Sequence, residues 1–249
     1  MRVAVLNDIH GNLPALESVL AEVDRVGVDR VVVGGDVFPG PMAHEVLRRL
    51  TALSVPVDFI YGNCEVALLE QIDGKPPSHL PEAYRPIMKW NADQLDDDQR
   101  HFVRTWPMIV RLVLAPLGDV LFCHATPRDW NECFIQTTAE EKLRPVFDPA
   151  NASVVVCGHT HMQFDRMIGR TRVVNSGSIG MPFGPPGADW LLLGPGVHLQ
   201  HTEYDLESAA DRIRHTGYPA ADEFASKYVL DPPSEAEMLK VFSGAELTP

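Results

Sequence analysis

Five apolar, strand-like runs in this chain each end in a short polar signature. The runs occupy residues 3–6, 31–33, 57–60, 120–123 and 154–157. The signatures that follow them are, in chain order, Asp8-Ile9-His10, Gly35-Asp36, Gly62-Asn63, His124 and Gly158-His159-Thr160-His161. Because ligands bind just beyond the carboxyl ends of strands in an open α/β sheet, we expect these signatures to converge. They offer seven oxygen or nitrogen ligands, which predicts a hydrolytic site with two metal ions.

The composition is compatible with a metal-dependent enzyme of the cytoplasm. A chain of 249 residues with 45% hydrophobic content can bury the core of one large α/β domain. No apolar stretch approaches the ~20 residues that cross a bilayer, and the chain opens directly into a strand. The four cysteines form no CxxC pair and no Cys/His zinc spacing. We therefore expect a cytoplasmic protein with no membrane partner and no thiolate metal site, in which Cys123 and Cys157 are buried and reduced.

The net charge limits the class of substrate. A formal charge of −13 argues against a long nucleic acid held on a basic surface. It also means that a bare site containing Asp8 and Asp36 would repel a phosphate group. Two divalent cations would reverse the local sign of the charge. The metals are thus expected to serve substrate binding as well as chemistry.

The order of predicted elements indicates a mixed sheet with a helical interruption. The first sixty residues alternate strand and helix as βαβαβ. Residues 64–107 predict a helical insertion that forms a cap beside the site, within a single domain of residues 1–249. The acidic run at residues 96–98 favours a helix start over a set of metal ligands.

Later elements are less regular. A helix is expected over residues 138–144, ending before Pro145. Strand candidates then occupy residues 173–174, 191–193 and 197–204. Residues 205–249 predict a helical C-terminal extension that packs on the sheet or on a second subunit, which leaves a homo-oligomer open. The Gly- and Pro-rich segment 175–187 either cradles an anion or shapes a turn.

The ordered signatures resemble the calcineurin-like metallophosphoesterase family, most of all its compact bacterial cytoplasmic branch of phosphodiesterases and phosphatases. The resemblance rests on Asp8-x-His10, Gly35-Asp36, Gly62-Asn63, His124 and Gly158-His159-x-His161. It implies an α/β fold, a two-sheet αββα sandwich with the site at one edge. It also implies that one metal is held by Asp8, His10 and His161, the other by Asn63, His124 and His159, and that Asp36 bridges both.

The residue types agree with those implied roles. Carboxylate, amide and imidazole ligands suit transition metals better than Mg²⁺ or Ca²⁺, with Mn²⁺ preferred here and Fe, Ni²⁺, Co²⁺ or Zn²⁺ as alternatives. One carboxylate can hold two cations roughly 3.5–4 Å apart. The expected reaction is hydrolysis of a small phosphate ester, such as a nucleotide, by a hydroxide that bridges the two metals.

The chain departs from the family pattern after Asn63. Many members have His at the next position, where it contacts substrate and assists the leaving group; here Cys64 stands there, followed by Glu65. A neutral thiol is a weak substitute for an imidazolium, so good leaving groups are favoured. The catalytic candidates are therefore Asp36, Asn63, Cys64 and His124. Arg128 is a candidate for gripping the substrate phosphate, with a surface salt bridge as the alternative.

Two other functions remain open at this stage. The first is a protein phosphatase of the same fold, which would need an open groove for a phosphorylated loop. The second is a non-catalytic scaffold that binds protein partners, although such members typically lose metal ligands and all seven are present here. The helical insertion favours a restricted pocket and hence a small substrate.

Overall fold

Two five-stranded sheets form the centre of the molecule, whose computed structural model describes residues 1–247. The first sheet contains β1 (Val3–Leu6), β2 (Arg30–Val33), β3 (Val57–Phe59), β9 (Ala188–Leu193) and β10 (Val197–Thr202). The second contains β4 (Ile109–Leu114), β5 (Gly118–Cys123), β6 (Val154–Cys157), β7 (Phe164–Ile168) and β8 (Thr171–Asn175). The strand orders are β10-β9-β1-β2-β3 and β4-β5-β6-β8-β7.

Each sheet has three neighbouring parallel strands, and these determine where the site lies. In the first sheet β1, β2 and β3 are parallel, and β9 and β10 add antiparallel strands beside β1. In the second, β5, β6 and β8 are parallel, flanked by antiparallel β4 and β7. The carboxyl ends of parallel strands share one edge of their sheet. The segments after β1, β2, β3, β5 and β6 can therefore meet.

Alternating side chains on the strands create three layers of core. On β1, Val3 and Val5 pack between the sheets, whereas Ala4 and Leu6 pack in the core that faces the helices. That outer core includes α1 (Leu13–Val26) and α2 (Ala43–Thr51). On the other side, α6 (Glu140–Phe147) covers the second sheet. The αββα sandwich expected from the sequence is confirmed.

Helices occupy the segment between β3 and β4 and the segment after β10. Between β3 and β4 lie α3 (Asn63–Ile72), α4 (Arg85–Gln94) and α5 (Asp97–Arg104). After β10 come α7 (Leu206–Arg214), α8 (Ala221–Phe224), a π-helical segment Ala225–Leu230 and α9 (Glu235–Ser243). These C-terminal helices contact the insertion, since the ring of Tyr218 packs edge-on against Trp90 of α4 at 5.4 Å. Residues 248 and 249 of the expected extension lie outside the described residues.

Two details of the sequence-based expectation were wrong. The helix α6 continues through Pro145 to Phe147, because Leu143, Val146 and Phe147 are buried against the second sheet. That burial outweighs the hydrogen bond that proline cannot donate. The strand β7 was missed because only its ends, Phe164 and Ile168, are buried. Within residues 1–247, no helix is long and apolar enough to cross a membrane.

Candidate metal centre

Three of the expected ligands form one compact group at the shared edge of the sheets. The Nε2 atoms of His10 and His161 lie 3.3 Å apart. The Nε2 atom of His161 also lies 3.3 Å from Oδ1 of Asp8. All three side chains are buried, although they come from segments more than 150 positions apart in the chain. The structure thus brings the first predicted ligand set together.

A second compact group forms beside it. Oδ1 of Asn63 lies 2.9 Å from Nε2 of His124 and 2.9 Å from Nδ1 of His159. The two ring nitrogens are 3.2 Å apart. The amide nitrogen of Asn63 is directed to the sulfur of Cys64 at 3.4 Å, which leaves its oxygen for the group. The second predicted ligand set is therefore also assembled.

Asp36 lies between the two groups. Its Oδ2 atom is 3.9 Å from Nε2 of His10 and 3.6 Å from Nε2 of His124. Its Oδ1 atom accepts a hydrogen bond from the backbone N–H of Cys64 at 2.9 Å. One carboxylate oxygen is held by the start of α3, and the other faces one histidine of each group.

The donor atoms fit metal ions. Ligand atoms about 2.1 Å from a common metal lie roughly 3.0–3.5 Å from one another at tetrahedral or right angles, close to the separations within each group. Oδ1 of Asp8 is fully buried and has no hydrogen-bond partner outside the candidate ligands among the described residues; Nε2 of His161 lies 3.3 Å from it. A buried carboxylate oxygen surrounded by imidazole nitrogens is a position that a cation would stabilise. Asp8, His10 and His161 lie within ligand distance of one another, as do Asp8, Asp36 and His124.

Backbone carbonyls orient two of the imidazoles. Nδ1 of His124 donates to the carbonyl of Gly34 at 3.0 Å, and Nδ1 of His161 donates to the carbonyl of Met181 at 2.8 Å. Because Nδ1 donates in both bonds, Nε2 is the nitrogen of each ring that faces the site and would bind a metal once the ring is neutral. These carbonyl partners could not be read from the sequence.

Five of the seven candidate ligands have a left-handed backbone. The φ angles are 52° at Asp8, 45° at His10, 52° at Asp36, 68° at His159 and 57° at His161. This conformation is uncommon for residues other than glycine and is retained only where the surroundings enforce it. Such strain concentrated on one set of side chains marks that set as functional.

Polar side chains of the Gly- and Pro-rich loop help to enforce this backbone. The hydroxyl of Ser178 donates to the carbonyl of Asp8 at 2.7 Å. The amide of Asn175 donates to the carbonyl of Gly158 at 2.6 Å and to the hydroxyl of Thr160 at 3.1 Å. The loop therefore shapes the turns that carry the ligands.

Comparison with known protein families agrees with this geometry. A family model described as the calcineurin-like phosphoesterase superfamily domain matches residues 1–193. The chain belongs to this superfamily. The resemblance carried by the five signatures is confirmed.

Three similar proteins extend the comparison to nearly the whole chain. Protein MJ0912 of Methanocaldococcus jannaschii is 24% identical over 239 residues, which cover 85% of this chain and 91% of that protein. The structure of protein PH1004 from Pyrococcus horikoshii superposes with a TM-score of 0.76 at 21% identity, covering 94% of this chain and 99% of that one. The structure of a metallophosphoesterase from Sphaerobacter thermophilus superposes with a TM-score of 0.71 at 20% identity, and the match covers 91% of this chain and 97% of that one. These two structures share the fold of this chain.

Glu65 is a site residue whose role was missed from the sequence. Its carboxylate is fully buried and accepts backbone hydrogen bonds from Gly62 at 2.7 Å, Asp36 at 2.8 Å, Val37 at 2.8 Å and Phe38 at 3.3 Å. It thereby ties the loop after β2 to the start of α3. Burial and then the Asp36 carboxylate raise the pKa of Glu65 to about 7, although the amide donors lower it.

Cys64 lies inside the candidate metal centre. Its side chain is 7% exposed, and its sulfur lies within 4.8 Å of ligand atoms of His10 and Asp36. Burial, followed by the charge of Asp36, raises the pKa of the Cys64 thiol well above its usual range. The side chain is thus a neutral thiol at physiological pH, and its part in catalysis stays a prediction.

Arg128 and His79 each have a partner in the protein. The guanidinium of Arg128 forms a two-pronged ion pair with the buried carboxylate of Glu132, with Nε 3.0 Å from Oε2. This contact is the salt bridge considered from the sequence, and phosphate binding by Arg128 stays a prediction. His79, for which the sequence indicated no ligand role, places Nε2 2.8 Å from the backbone carbonyl of Asn63 and its ring edge-on to Trp130.

We expect Gly62→Ala to displace the central carboxylate. A Cβ atom at this position would lie 2.2 Å from Oδ1 of Asp36 and 2.8 Å from the ring of His124. Since the neighbours are ligands held by their own hydrogen bonds, we expect metal affinity to fall by at least about tenfold. Binding of Mn²⁺ to the chelator-treated protein measures this change. Gly217→Ala is the matched control, because its Cβ would meet no atom closer than 3.7 Å; equal affinity in both variants would contradict the arrangement.

Two of the histidines are neutral before any metal binds. Burial and then the nearby His161 lower the pKa of His10 to about 4. Burial and then the nearby His124 lower the pKa of His159 to about 4. Neutral imidazole is the form that binds metals, so these two ligands give up no proton at neutral pH.

We expect metal loading to release protons from the other two histidines. Burial alone would lower the pKa of His124 and of His161, but Asp36 and Asp8 outweigh it and raise both above the usual value. A protonated imidazole cannot bind a metal, so affinity should fall as the pH drops through these raised values, by up to about tenfold per unit for each proton displaced. Calorimetric titration with Mn²⁺ in buffers of different ionisation enthalpy measures the proton release. A dissociation constant that is the same at pH 6 and pH 8 would rule it out.

Proposed function

We propose that this protein is a dimetal phosphoesterase that hydrolyses phosphate esters of small molecules, such as a nucleotide. The observation that supports it most strongly is the pair of ligand groups that share Asp36, together with the fully buried Oδ1 of Asp8, whose near neighbour is the candidate ligand His161. A scaffold protein would gain nothing from buried carboxylates and imidazoles packed this closely or from five strained ligand residues.

The proposal assigns two divalent metals to the site. Asp8, His10 and His161 would hold one, Asn63, His124 and His159 the other, and Asp36 would contribute to both. We infer Mn²⁺ as the preferred metal, with Fe, Ni²⁺, Co²⁺ or Zn²⁺ as alternatives for this mixed set of ligands. When bound, such metals neutralise phosphoryl charge and acidify a water molecule.

The residues of the chain have their own tasks in this scheme. Oδ2 of Asp36 would hold the two ligand groups at a fixed distance from each other. Glu65 would fix the two loops that carry Asp36 and Asn63. The neutral thiol of Cys64 is a weak acid, so it would give little help to a departing alkoxide. Substrates with good leaving groups should therefore react faster than alkyl esters. Arg128 could contact the phosphate only after leaving its pair with Glu132.

A small-molecule substrate is favoured over a phosphorylated protein. Beside His10 and Cys64 lies a pocket of about 350 Å³, which has walls from the insertion and from the C-terminal helices. This volume falls in the range of small-molecule sites, whereas a phosphorylated loop needs an open groove. The insertion and the C-terminal helices would thus act together as a cap.

Chelation followed by metal restoration tests the proposed function. We expect protein dialysed against EDTA to lose hydrolysis of bis-4-nitrophenyl phosphate and 4-nitrophenyl phosphate, and Mn²⁺ or Co²⁺ to restore it better than Ca²⁺, which prefers shells of oxygen ligands only. Glycerol phosphate should react far more slowly than the nitrophenyl esters. Full activity without metal would exclude the mechanism. Two bound metals without activity on these esters, on cyclic nucleotides or on phosphopeptides would favour the scaffold alternative.

A further inference from the structure

The pocket beside the metal centre has an aromatic lining. Its walls include Tyr84 and Met88 from the insertion, Tyr218 from the loop between α7 and α8, and Glu223, Phe224 and Tyr228 from the helical segments that follow. We call this the aromatic pocket. The rings form a continuous cluster, with centroids 6.2 Å apart for Tyr218 and Phe224 and 5.7 Å apart for Phe224 and Tyr228. Flat aromatic walls of this kind favour stacked or edge-on contact with a planar group.

The aromatic pocket is continuous with the metal centre. His10 and Cys64 line one end of it, and Met181, whose carbonyl orients His161, lines it as well. A phosphate at the ligand groups would therefore leave the rest of its ester beside the mouth of this pocket.

A polar group inside the pocket is available to a ligand. Tyr218 is only 7% exposed and lines the pocket. No described residue forms a hydrogen bond with its hydroxyl, which is not among the fully buried unpartnered atoms and is therefore open to solvent. A hydroxyl in this position can bond a polar atom on an otherwise apolar guest.

The charges around the pocket exclude anionic guests. No Lys or Arg lines it among the described residues, and the acidic lining residue is Glu223, which pairs with Lys227 at its exposed end. A second phosphate or a carboxylate placed there would lose its hydrating water molecules and would find no cationic side chain to compensate the loss.

We propose that the aromatic pocket holds an uncharged planar aromatic group of the substrate, such as a nucleobase or an aryl ring, while the phosphate lies at the metal centre. This inference rests on the proposed function and narrows its substrate class. Esters with a second anionic group on this side are disfavoured, and esters of small aliphatic alcohols leave the pocket unfilled.

Binding to metal-free protein tests this inference separately from hydrolysis. The probes are adenosine and the isosteric pair 4-nitrobenzyl alcohol and 4-(hydroxymethyl)benzoate, titrated calorimetrically into chelator-treated full-length protein. We expect adenosine and the neutral alcohol to bind, and the carboxylate to bind at least about tenfold more weakly. Tyr218→Phe should raise the dissociation constant of adenosine several-fold, as expected for the loss of one hydrogen bond.

A pair of tryptophan variants shows where the probes bind. Ala83→Trp places a large side chain in the aromatic pocket and should weaken the binding of both neutral probes at least tenfold. Ala236→Trp makes the same change at an exposed position of α9 outside the pocket and should bind them like the parent. Absence of binding by both neutral probes, or equal binding in the two variants, would overturn the inference. Loss of phosphoesterase activity with intact probe binding would instead count against the proposed function.

Discussion

Asp36→Ala should remove at least one metal ion per molecule and lower kcat/KM on bis-4-nitrophenyl phosphate by at least about 10³-fold. The reason is that Oδ2 of Asp36 lies 3.9 Å from His10 and 3.6 Å from His124, so its loss affects both ligand groups together. Two metals supply several kcal/mol of stabilisation to the transition state, which corresponds to a change of this size. Metal content by mass spectrometry and steady-state kinetics with added Mn²⁺ measure the two effects.

A second aspartate provides the matched control for this variant. Asp24 is exposed on α1, and Asp24→Ala makes the same chemical change away from the site. We expect it to retain two metals and the activity of the parent. The Asp36→Ala protein should also keep the circular dichroism spectrum of the metal-free parent. Two bound metals and near-parent turnover in Asp36→Ala would refute the bridging assignment.

Glu65→Gln should destabilise the metal-free protein by about 2 kcal/mol and weaken metal binding by about 10–100-fold. The buried carboxylate accepts four backbone N–H groups, and each of its oxygens accepts two of them. The NH₂ of glutamine would face two of these donors and leave them unpaired, at about 1–3 kcal/mol each. The neutral glutamine also removes the repulsion between the carboxylates of Glu65 and Asp36, which helps to raise the pKa of Glu65. Loss of this repulsion offsets part of the cost. The effect on metal binding follows from the displaced loops.

Urea unfolding of chelator-treated protein and Mn²⁺ titration are the measurements for Glu65→Gln. Glu141 is exposed on α6, so Glu141→Gln removes the same charge without disturbing a buried hydrogen bond. We expect that control to unfold at the urea concentration of the parent. Equal stability and equal metal affinity of the two variants would mean that the amides find other acceptors.

The sequence predicted the ligands because the relevant information is local. Each ligand follows an apolar run directly, and its side-chain type is visible without knowledge of the fold. Glu65 carries no such mark, because three of its four partners lie 27 to 29 positions away. The same holds for Tyr218, which reaches the site only because the C-terminal helices pack against α4.

Errors in the predicted elements have a related cause. Proline was expected to end α6, but the helix is held by the burial of Val146 and Phe147, which depends on the neighbouring sheet. The β7 strand has too few buried positions to show an alternating pattern. In both cases tertiary contacts decided the outcome.

The wide spacing of the ligands along the chain links metal uptake to the completion of folding. His10 and His161, which face each other at 3.3 Å, are separated by 151 positions and follow strands of different sheets. A growing polypeptide therefore cannot assemble the first group before residue 161 has been synthesised and the two sheets have docked. Metals that bind only the native state add to its stability, by about 2.7 kcal/mol when their free concentration is 100 times the dissociation constant. Cellular metal supply would thus influence how long a finished molecule survives, as well as how fast it works.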